Sequence, residues 1–333
     1  MTRPKVYVTL KMPQEAMDRL REQVDIVVNE QDRLLSKEEM LLRLAEADYD
    51  GIFCAIGDVI DEAVIEAMGE RCRIIANFGV GFNHIDIDAA SRRGIWVTNT
   101  PDVLTDATAD MAWALLLATA RRVAEGDRVM RSKQGFKGWG PLYMLGREIS
   151  GKTLGIAGAG RIGAAMAKRA KGFNMKILYT ARQRKEELEA ETGAQFVEKD
   201  VLLAKADFLS LHMPLSQETR HYIGSRELAQ MKKTAILVNT ARGAVVDEAA
   251  LVSALKSGQI WGAGLDVYEE EPLLAAGLSE LDNVVLAPHL GSATIETRTA
   301  MSMLTVDNLL AALVEKKEPP NLLNPLAATK NKV

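Results

Sequence analysis

The chain has 333 residues, of which 47% are hydrophobic and 26% charged, and its formal net charge at pH 7 is −4. A chain of this length and composition can bury a large core and is expected to fold into two globular domains. Its slight acidity, its scattered basic residues and the lack of an apolar leader after Met1 argue against nucleic acid as a partner and predict a cytoplasmic protein.

The first hundred residues alternate short β-branched runs with helical patterns, which is typical of parallel strands joined by helices. The predicted strands are residues 5–10, 24–28, 51–56, 73–78 and 95–99. Cys54 and Cys72 lie in or beside these runs and are the only cysteines of the chain. Because two cysteines form neither a metal cluster nor a disulfide framework, we expect both to fill space in the core.

One long helix is predicted over residues 106–133, followed by a loop with glycines and a proline over 135–141. The most apolar part of this helix, residues 111–120, is about half as long as a bilayer span, so we expect a buried helix and no membrane segment. This stretch is also more apolar than one domain face requires. We therefore expect it to contribute to a subunit interface.

A second alternation starts at Lys152, and its predicted strands, about six in number, are residues 153–157, 176–180, 208–212, 235–240, 260–267 and 283–288. A last helix, predicted over 294–315, cannot form a domain alone and is expected to return to the first one. We therefore predict an α/β fold with two doubly wound parallel-sheet domains, one flavodoxin-like and one Rossmann-like. Residues 1–100 and 290–333 would form a substrate-binding domain and 101–289 a dinucleotide-binding domain, with the active site in the cleft between them.

Three glycines, Gly158, Gly160 and Gly163, stand between the strand predicted at 153–157 and a helical pattern. In this context the first allows a tight turn, the second lets the backbone approach a pyrophosphate, and the third lets helix and strand pack closely. The N-terminus of the helix also attracts an anion. The sequence therefore predicts a dinucleotide site.

The strand after this loop lacks the acidic residue that would bind a ribose 2′-hydroxyl. No Asp or Glu occurs between Gly163 and Glu186, and the end of the strand carries Arg182 and Arg184 instead. Arginines suit a 2′-phosphate, which a carboxylate would repel. The pattern predicts NADPH as the preferred cofactor and leaves open the use of NADH. A solvated basic loop is the alternative.

Three candidate catalytic side chains follow the later predicted strands: Arg242, Glu271 and His289. Sequential strands of one parallel sheet bring such residues to the same edge. A histidine can protonate the oxyanion that hydride transfer to a ketone leaves, a carboxylate can orient the imidazole, and an arginine can hold a substrate carboxylate. Each of these three residues, taken alone, could have a purely structural role instead. Glu269 and Glu270 are expected to be solvated neighbours of Glu271.

The four histidines are far apart in the sequence and show no spacing typical of metal ligands, so no metal site is expected. They are His84, His212, His221 and His289.

An ordered set of motifs resembles the D-isomer-specific 2-hydroxyacid dehydrogenase family and covers nearly the whole chain. The motifs are Gly158-x-Gly160-Arg161-Ile162-Gly163, His212-Met213-Pro214-Leu215, Asn239-Thr240-Ala241-Arg242-Gly243, Asp266-Val267 with Glu271-Pro272, and Pro288-His289-Leu290-Gly291. Within the family the chain is most similar to the glyoxylate/hydroxypyruvate reductase branch, through residues 77–86 and 179–182.

The resemblance implies that His289 is the general acid/base, that Glu271 is its carboxylate partner, and that Arg242 binds the substrate. It also places the substrate carboxylate on the backbone N–H groups of Val80 and Gly81, a loop suited to an anion. The cofactor contacts expected from the motifs are Thr108, Gly158, Gly160, Arg161, Ile162, Gly163, Arg182, Arg184, His212, Met213, Pro214, Thr240, Ala241, Arg242, Asp266, His289 and Gly291. A homodimer is implied as well.

The function predicted from these residues is reduction of glyoxylate to glycolate, and of hydroxypyruvate to D-glycerate, with NADPH as hydride donor. Two alternatives stay open. One is another D-2-hydroxyacid dehydrogenase such as a phosphoglycerate dehydrogenase, although no basic cluster for a substrate phosphate is evident. The other is a dinucleotide-sensing protein without catalysis, similar to the corepressors that share the fold.

Overall fold

The computed structural model describes residues 3–31 and 33–325. The chain divides into two compact units. Unit 1 comprises the residues up to Leu104 and those from Ala293 onward, and unit 2 is Thr105–Ser292. The sequence placed the two boundaries a few residues earlier, at 100 and 289.

Both units alternate strands and helices. In the part of the chain that the structure describes, the strands are β1 (Lys5–Val8), β2 (Asp25–Val28), β3 (Gly51–Ala55), β4 (Ile74–Phe78), β5 (Trp96–Thr98), β6 (Thr153–Ala157), β7 (Lys176–Thr180), β8 (Gln195–Phe196), β9 (Phe208–Leu211), β10 (Ile236–Asn239), β11 (Gly262–Leu265) and β12 (Val284–Leu286). The α-helices are α1 (Gln14–Gln23), α2 (Lys37–Ala45), α3 (Glu62–Ala67), α4 (Ile87–Arg92), α5 (Thr105–Ala120), α6 (Val123–Arg131), α7 (Arg161–Ala170), α8 (Glu186–Thr192), α9 (Lys199–Lys205), α10 (Ser225–Gln230), α11 (Glu248–Lys256) and α12 (Ile295–Leu313).

Unit 1 is built on a five-stranded parallel sheet with the order β2-β1-β3-β4-β5, which is the flavodoxin-like order. Strands β1, β3, β4 and β5 are largely buried on both faces, whereas the edge strand β2 is partly exposed. Successive side chains of a strand point to opposite faces of the sheet. Val6 and Val8 pack with α1 and α12, whereas Tyr7 packs with α2 and α3. Cys54 and Cys72 are buried and free, as expected.

Unit 2 is built on a seven-stranded parallel sheet with the order β12-β11-β10-β9-β6-β7-β8. The first strand of the unit, β6, lies between β9 and β7, as in the Rossmann arrangement. Helix α5 packs tightly against β11, where a Cβ added to Gly264 would lie 2.9 Å from Cβ of Leu115. The predicted two-domain α/β fold is therefore confirmed, with one strand, β8, that the sequence did not predict.

The prediction of one continuous helix over residues 106–133 was wrong. It is interrupted at Arg122, whose left-handed backbone (φ +53°) separates α5 from α6. The apolar residues of α5 are mostly buried within unit 2 itself, so its composition does not require a subunit interface. By contrast, no residue of α6 is buried.

A run of exposed apolar side chains follows the end of α5. It consists of Val123, Met130, Phe136, Trp139, Leu142, Tyr143 and Leu145. Among the described residues, no helix is long and apolar enough to cross a membrane, and no three His, Cys, Asp or Glu side chains are grouped as a metal site would need.

Candidate active site

The predicted site residues of unit 2 lie at the carboxyl edge of its sheet, apart from Thr108, which lies in α5. The glycine loop follows β6, the arginines follow β7, and the 212–214 segment follows β9. Residues 240–242 follow β10, Asp266 follows β11, and the segment with His289 and Gly291 follows β12. Because all seven strands are parallel, these segments leave the sheet on one side.

The three glycines of the loop meet three different steric demands. Gly158 has a positive φ of +97°, and a Cβ there would lie 2.8 Å from the backbone of His212 and Met213. A Cβ on Gly163 would lie 2.2 Å from the carbonyl oxygen of Gly158, so only glycine lets α7 pack this closely. Gly160 has no atom within 4 Å of its Cβ position. The open side at Gly160, directly before α7, leaves room for a pyrophosphate.

A buried hydroxyl without a partner lies at the end of β10. Thr240 is buried, and its Oγ1 has no hydrogen-bond partner among the described residues. The turn that follows is held by Asn239, whose side chain accepts from Ala241 N–H at 3.0 Å and donates to the Arg242 carbonyl at 2.9 Å. An orphaned hydroxyl beside an open glycine loop fits a bound dinucleotide, which would supply the missing partner.

Close packing between two loops fixes the backbone next to Arg242. A Cβ on Gly243 would lie 1.8 Å from the carbonyl carbon of Tyr268, so the two backbones touch and only glycine fits. Burial lowers the pKa of Arg242, and the nearby charge of Glu271 opposes that effect. The guanidinium donates one hydrogen bond, to the Ala241 carbonyl at 2.7 Å. Its other N–H groups bond to no residue that the structure describes and could donate to an anion.

Glu271 and His289 form a hydrogen-bonded pair. Oε2 of Glu271 lies 2.8 Å from Nδ1 of His289, and Oε1 accepts the Tyr268 N–H at 2.9 Å. Burial alone would raise the pKa of Glu271, but the His289 hydrogen bond, the Tyr268 amide and the Arg242 charge together hold it below its usual value. A carboxylate that stays ionised favours the protonated imidazole. Nε2 of His289 has no hydrogen-bond partner in the described parts of the chain, so it can face a substrate.

Asp266 anchors the turn that carries His289. This buried carboxylate accepts N–H bonds from Leu290 at 2.6 Å and Gly291 at 2.7 Å, and its carbonyl accepts from His289 N–H at 2.9 Å. Burial raises the pKa of Asp266, while the two amides oppose the shift. The turn holds His289 in a left-handed conformation with φ +55°. The carboxylate predicted as a cofactor contact therefore has a positioning role in the fold.

Thr108, predicted as a cofactor contact from α5, is buried next to this turn. A Cβ added to Gly291 would lie 3.4 Å from Cγ2 of Thr108. Met213 is also buried and packs in the core of unit 2. His212 lies beside it, with Nε2 2.8 Å from Oγ of Ser210, and burial lowers its pKa to about 4.

The two arginines after β7 differ in their surroundings. Arg184 forms a two-pronged ion pair with Glu189, with distances of 2.6 to 2.9 Å, and Glu189 also accepts the Tyr179 hydroxyl at 2.7 Å. Arg182 is exposed and makes no hydrogen bond or ion pair with any residue in the ranges that the structure describes. Of the pair, Arg182 is the one available to a 2′-phosphate.

The predicted substrate loop lies in unit 1, directly after β4. The carbonyls of Gly79, Val80 and Gly81 all accept hydrogen bonds, from the side chains of Asn77 and Asn99 and from the backbone of residue 100. The N–H groups of Val80 and Gly81 donate to no described residue. Two adjacent free amides form a concave site suited to a carboxylate.

Glu269, expected to be solvated, is paired instead. It accepts from Arg220 at 2.8 Å and lies 2.6 Å from Nε2 of His221, and its N–H donates to the buried carboxylate of Glu248 at 2.9 Å. These partners are 21 to 49 positions away, so no local motif indicates them. Glu270 is exposed, as expected.

Comparison with known proteins gives the family. A family model described as "D-isomer specific 2-hydroxyacid dehydrogenase, NAD binding domain" matches residues 113–291, which lie within unit 2. The chain belongs to this family. It is 49% identical to a glyoxylate reductase of Thermococcus litoralis over 325 residues, covering 97% of each chain.

Solved structures agree with this assignment. A glyoxylate reductase described from Paecilomyes thermophila has a TM-score of 0.85 at 34% identity, with 97% of this chain and 99% of that chain covered. An NADPH-dependent glyoxylate/hydroxypyruvate reductase from Sinorhizobium meliloti, in complex with NADP and malonate, has a TM-score of 0.82 at 34% identity, with 98% of each chain covered. The chain is therefore an oxidoreductase with a nicotinamide-dinucleotide-binding unit, and unit 2 is that unit.

Proposed function

We propose that this enzyme reduces glyoxylate to glycolate, and hydroxypyruvate to D-glycerate, and that it prefers NADPH. The observation that carries the proposal is the pairing of His289 with Glu271 on the strand edge that also carries Arg242. The relatives named glyoxylate reductase, similar over nearly their whole length, support the substrate class.

In the proposed reaction, bound NADPH supplies a hydride to the carbonyl carbon of the 2-oxo acid. His289 donates a proton from Nε2 to the developing oxyanion, while Glu271 holds Nδ1 and favours the protonated ring. Arg242 binds the substrate carboxylate and polarises the carbonyl. The amides of Val80 and Gly81 are also proposed to bind a substrate carboxylate.

The cofactor is proposed to lie along the carboxyl edge of the unit 2 sheet. The pyrophosphate would be bound at Gly158, Gly160, Arg161, Ile162 and Gly163, where the positive end of the α7 dipole attracts an anion. The remaining proposed contacts are Thr108, His212, Met213, Pro214, Thr240, Ala241, Arg242, Asp266, His289 and Gly291.

The proposed preference for NADPH rests on residues that follow β7. Residues 181–185, which directly follow β7, include no Asp or Glu to bind a ribose 2′-hydroxyl, and Arg182 is exposed and makes no hydrogen bond or ion pair with a described residue, although its charge lowers the pKa of Glu218. A guanidinium can bind a phosphate dianion with two parallel hydrogen bonds. We propose that Arg182 binds the 2′-phosphate directly, and that Arg184 contributes charge while it is paired with Glu189.

We also propose that the enzyme is a homodimer. Seven exposed apolar side chains within residues 123–145 support a second copy of this chain as the covering partner, since exposed apolar residues clustered on a surface often mark an interface. Light scattering of the purified protein tests this proposal. A monomer mass over the micromolar concentration range would contradict it.

The substrate proposal is tested by steady-state kinetics with glyoxylate, hydroxypyruvate, pyruvate and phosphohydroxypyruvate, each with NADPH and with NADH. We expect the highest kcat/KM for glyoxylate with NADPH. A higher value for phosphohydroxypyruvate would favour a phosphoglycerate dehydrogenase. No oxidation of NADPH by any of the four acids would overturn the enzymatic proposal in favour of a dinucleotide sensor.

A further inference from the structure

The loop that carries Glu271 is fastened to the rest of unit 2 by a second, buried carboxylate. Glu248 is the first residue of α11 and is only 4% exposed. Its Oε1 accepts the backbone N–H of Glu269 at 2.9 Å. It therefore ties the 269–275 loop, which contains Glu271, to the start of α11.

Burying the Glu248 carboxylate costs free energy, which argues against an incidental position for this residue. Burial raises its pKa, and the negative charges of Glu269 and Glu271 raise it further. A buried carboxyl group is kept only where hydrogen bonds compensate for lost hydration. Here the backbone hydrogen bond comes from Glu269, in the loop with Glu271.

The same loop is fixed from other directions. The Glu269 side chain pairs with Arg220 and His221, and the Tyr268 hydroxyl donates to the Ala287 carbonyl at 2.8 Å, two residues before His289. Tyr268 N–H then binds Glu271 itself. The two residues Tyr268 and Glu269 that precede this part of the loop are thus anchored to the rest of unit 2, and Glu248 is the anchor within α11.

We propose that Glu248 is a positioning residue: it sets the backbone of the 269–275 loop so that the Glu271 carboxylate meets Nδ1 of His289. This inference rests on the proposed role of the His289–Glu271 pair. Glu248 touches no reacting atom. Its effect on turnover must therefore pass through Glu271.

A double-mutant cycle tests this dependence. Glu248→Met keeps the length of the side chain and removes both acceptors, and Glu271→Ala removes the group to be positioned. In the otherwise wild-type enzyme we expect Glu248→Met to lower kcat roughly 10-fold with a smaller change in KM for NADPH. In the Glu271→Ala background the same substitution should change kcat by less than about 2-fold, since nothing is left to position.

Glu270→Gln is the matched control, because it removes a carboxylate from the same loop whose side chain bonds to no described residue. It should keep wild-type kcat. Equal fold losses from Glu248→Met in both backgrounds, or no loss in either, would overturn the proposal. If circular dichroism shows that Glu248→Met does not fold, Glu248→Asp replaces it, because the aspartate carboxylate is one methylene too short to reach the Glu269 N–H. Equal fold losses of kcat from Glu248→Asp in both backgrounds, or no loss in either, would then overturn the proposal.

The cycle separates this inference from the proposed function. If Glu271→Ala alone keeps wild-type kcat, the proposed role of the His289–Glu271 pair fails and the inference fails with it. If Glu271→Ala lowers kcat and Glu248→Met acts equally in both backgrounds, only the inference fails.

Discussion

Nδ1 of His289 lies 2.8 Å from Oε2 of Glu271, although the two residues are 18 positions apart in the chain. The turn with His289 is tied to Asp266, and the loop with Glu271 is tied to Tyr268 and Glu248. The pair is therefore positioned by contacts to the sheet and to α11, which is the kind of support that a proton donor requires.

The first prediction concerns the charge of Glu271. Glu271→Gln keeps the shape of the side chain and replaces the ionised acceptor beside Nδ1 of His289 with a neutral amide. Because the proposed role of the carboxylate is to hold the imidazole that donates the proton, kcat for glyoxylate should fall roughly 10-fold while KM for NADPH changes little. Steady-state kinetics measure this change. An unchanged kcat would mean that Glu271 does not act on His289.

Because the pKa of Glu271 is lowered in the folded enzyme, its carboxylate stays charged as the pH falls toward the acidic range. The stabilisation it gives is present above the pKa that the unfolded chain would have and is lost as the pH falls through the lower folded pKa. Glu271→Gln should therefore remove stability at neutral pH and have little effect at strongly acidic pH. Denaturant titrations at both pH values measure the difference.

The second prediction concerns Arg242. Arg242→Ala should raise KM for glyoxylate and lower kcat, each by roughly 10-fold or more, because the guanidinium is proposed to bind the carboxylate and polarise the carbonyl. Arg242→Lys should recover only part of the loss, since a lysine lacks the two-pronged geometry. Arg226→Ala, at an exposed site, is the control. A loss of stability with unchanged kinetics would show a structural arginine.

The third prediction separates the two arginines after β7. Arg182→Ala should raise KM for NADPH roughly 10-fold and leave KM for NADH nearly unchanged, because only NADPH carries the 2′-phosphate. Arg184→Ala should have the smaller effect, since its guanidinium is paired with Glu189. Binding of NADPH and NADH to each variant, followed by cofactor fluorescence, is the direct measurement. Equal losses for both cofactors would contradict recognition of the phosphate by Arg182.

The fourth prediction uses His212, whose pKa falls from the usual 6.5 to about 4 because it is buried. Between these values the unfolded chain binds a proton at this side chain that the folded protein does not, so stability falls as the pH drops from 6.5 to about 4. The loss is at most about 3.4 kcal/mol. In His212→Asn, the free energy of unfolding should fall less over this interval. A fall equal to that of the wild type would rule out His212 as a source.

Local sequence motifs predicted the parts of the site whose constraints are local. Gly163 is required by an atom only five residues away and Gly158 by its own positive φ, so the glycine pattern is sufficient to indicate the loop, although the backbone of His212 and Met213 also restricts Gly158. Arg242, Glu271 and His289 could be predicted together because each directly follows, or closely follows, a strand of one parallel sheet. The strand order then places the three residues after the neighbouring strands β10, β11 and β12.

Other features depend on contacts that no short pattern records. β8 has only two residues, both exposed, and lacks the hydrophobic run that indicates a strand. The break between α5 and α6 falls at Arg122, with neither glycine nor proline to indicate it. Glu269 and Glu248 acquire their roles only when α11 and the loop after β11 come together in the fold.

The central claim is that His289 donates the proton in reduction of a small 2-oxo acid. The most direct test is a single-turnover measurement in which enzyme loaded with NADPH is mixed with glyoxylate, for the wild type and for His289→Ala. We predict rapid oxidation of NADPH by the wild type, and a rate lower by roughly 10²-fold or more in the variant despite unchanged NADPH binding. Equal rates for the two proteins would contradict the account.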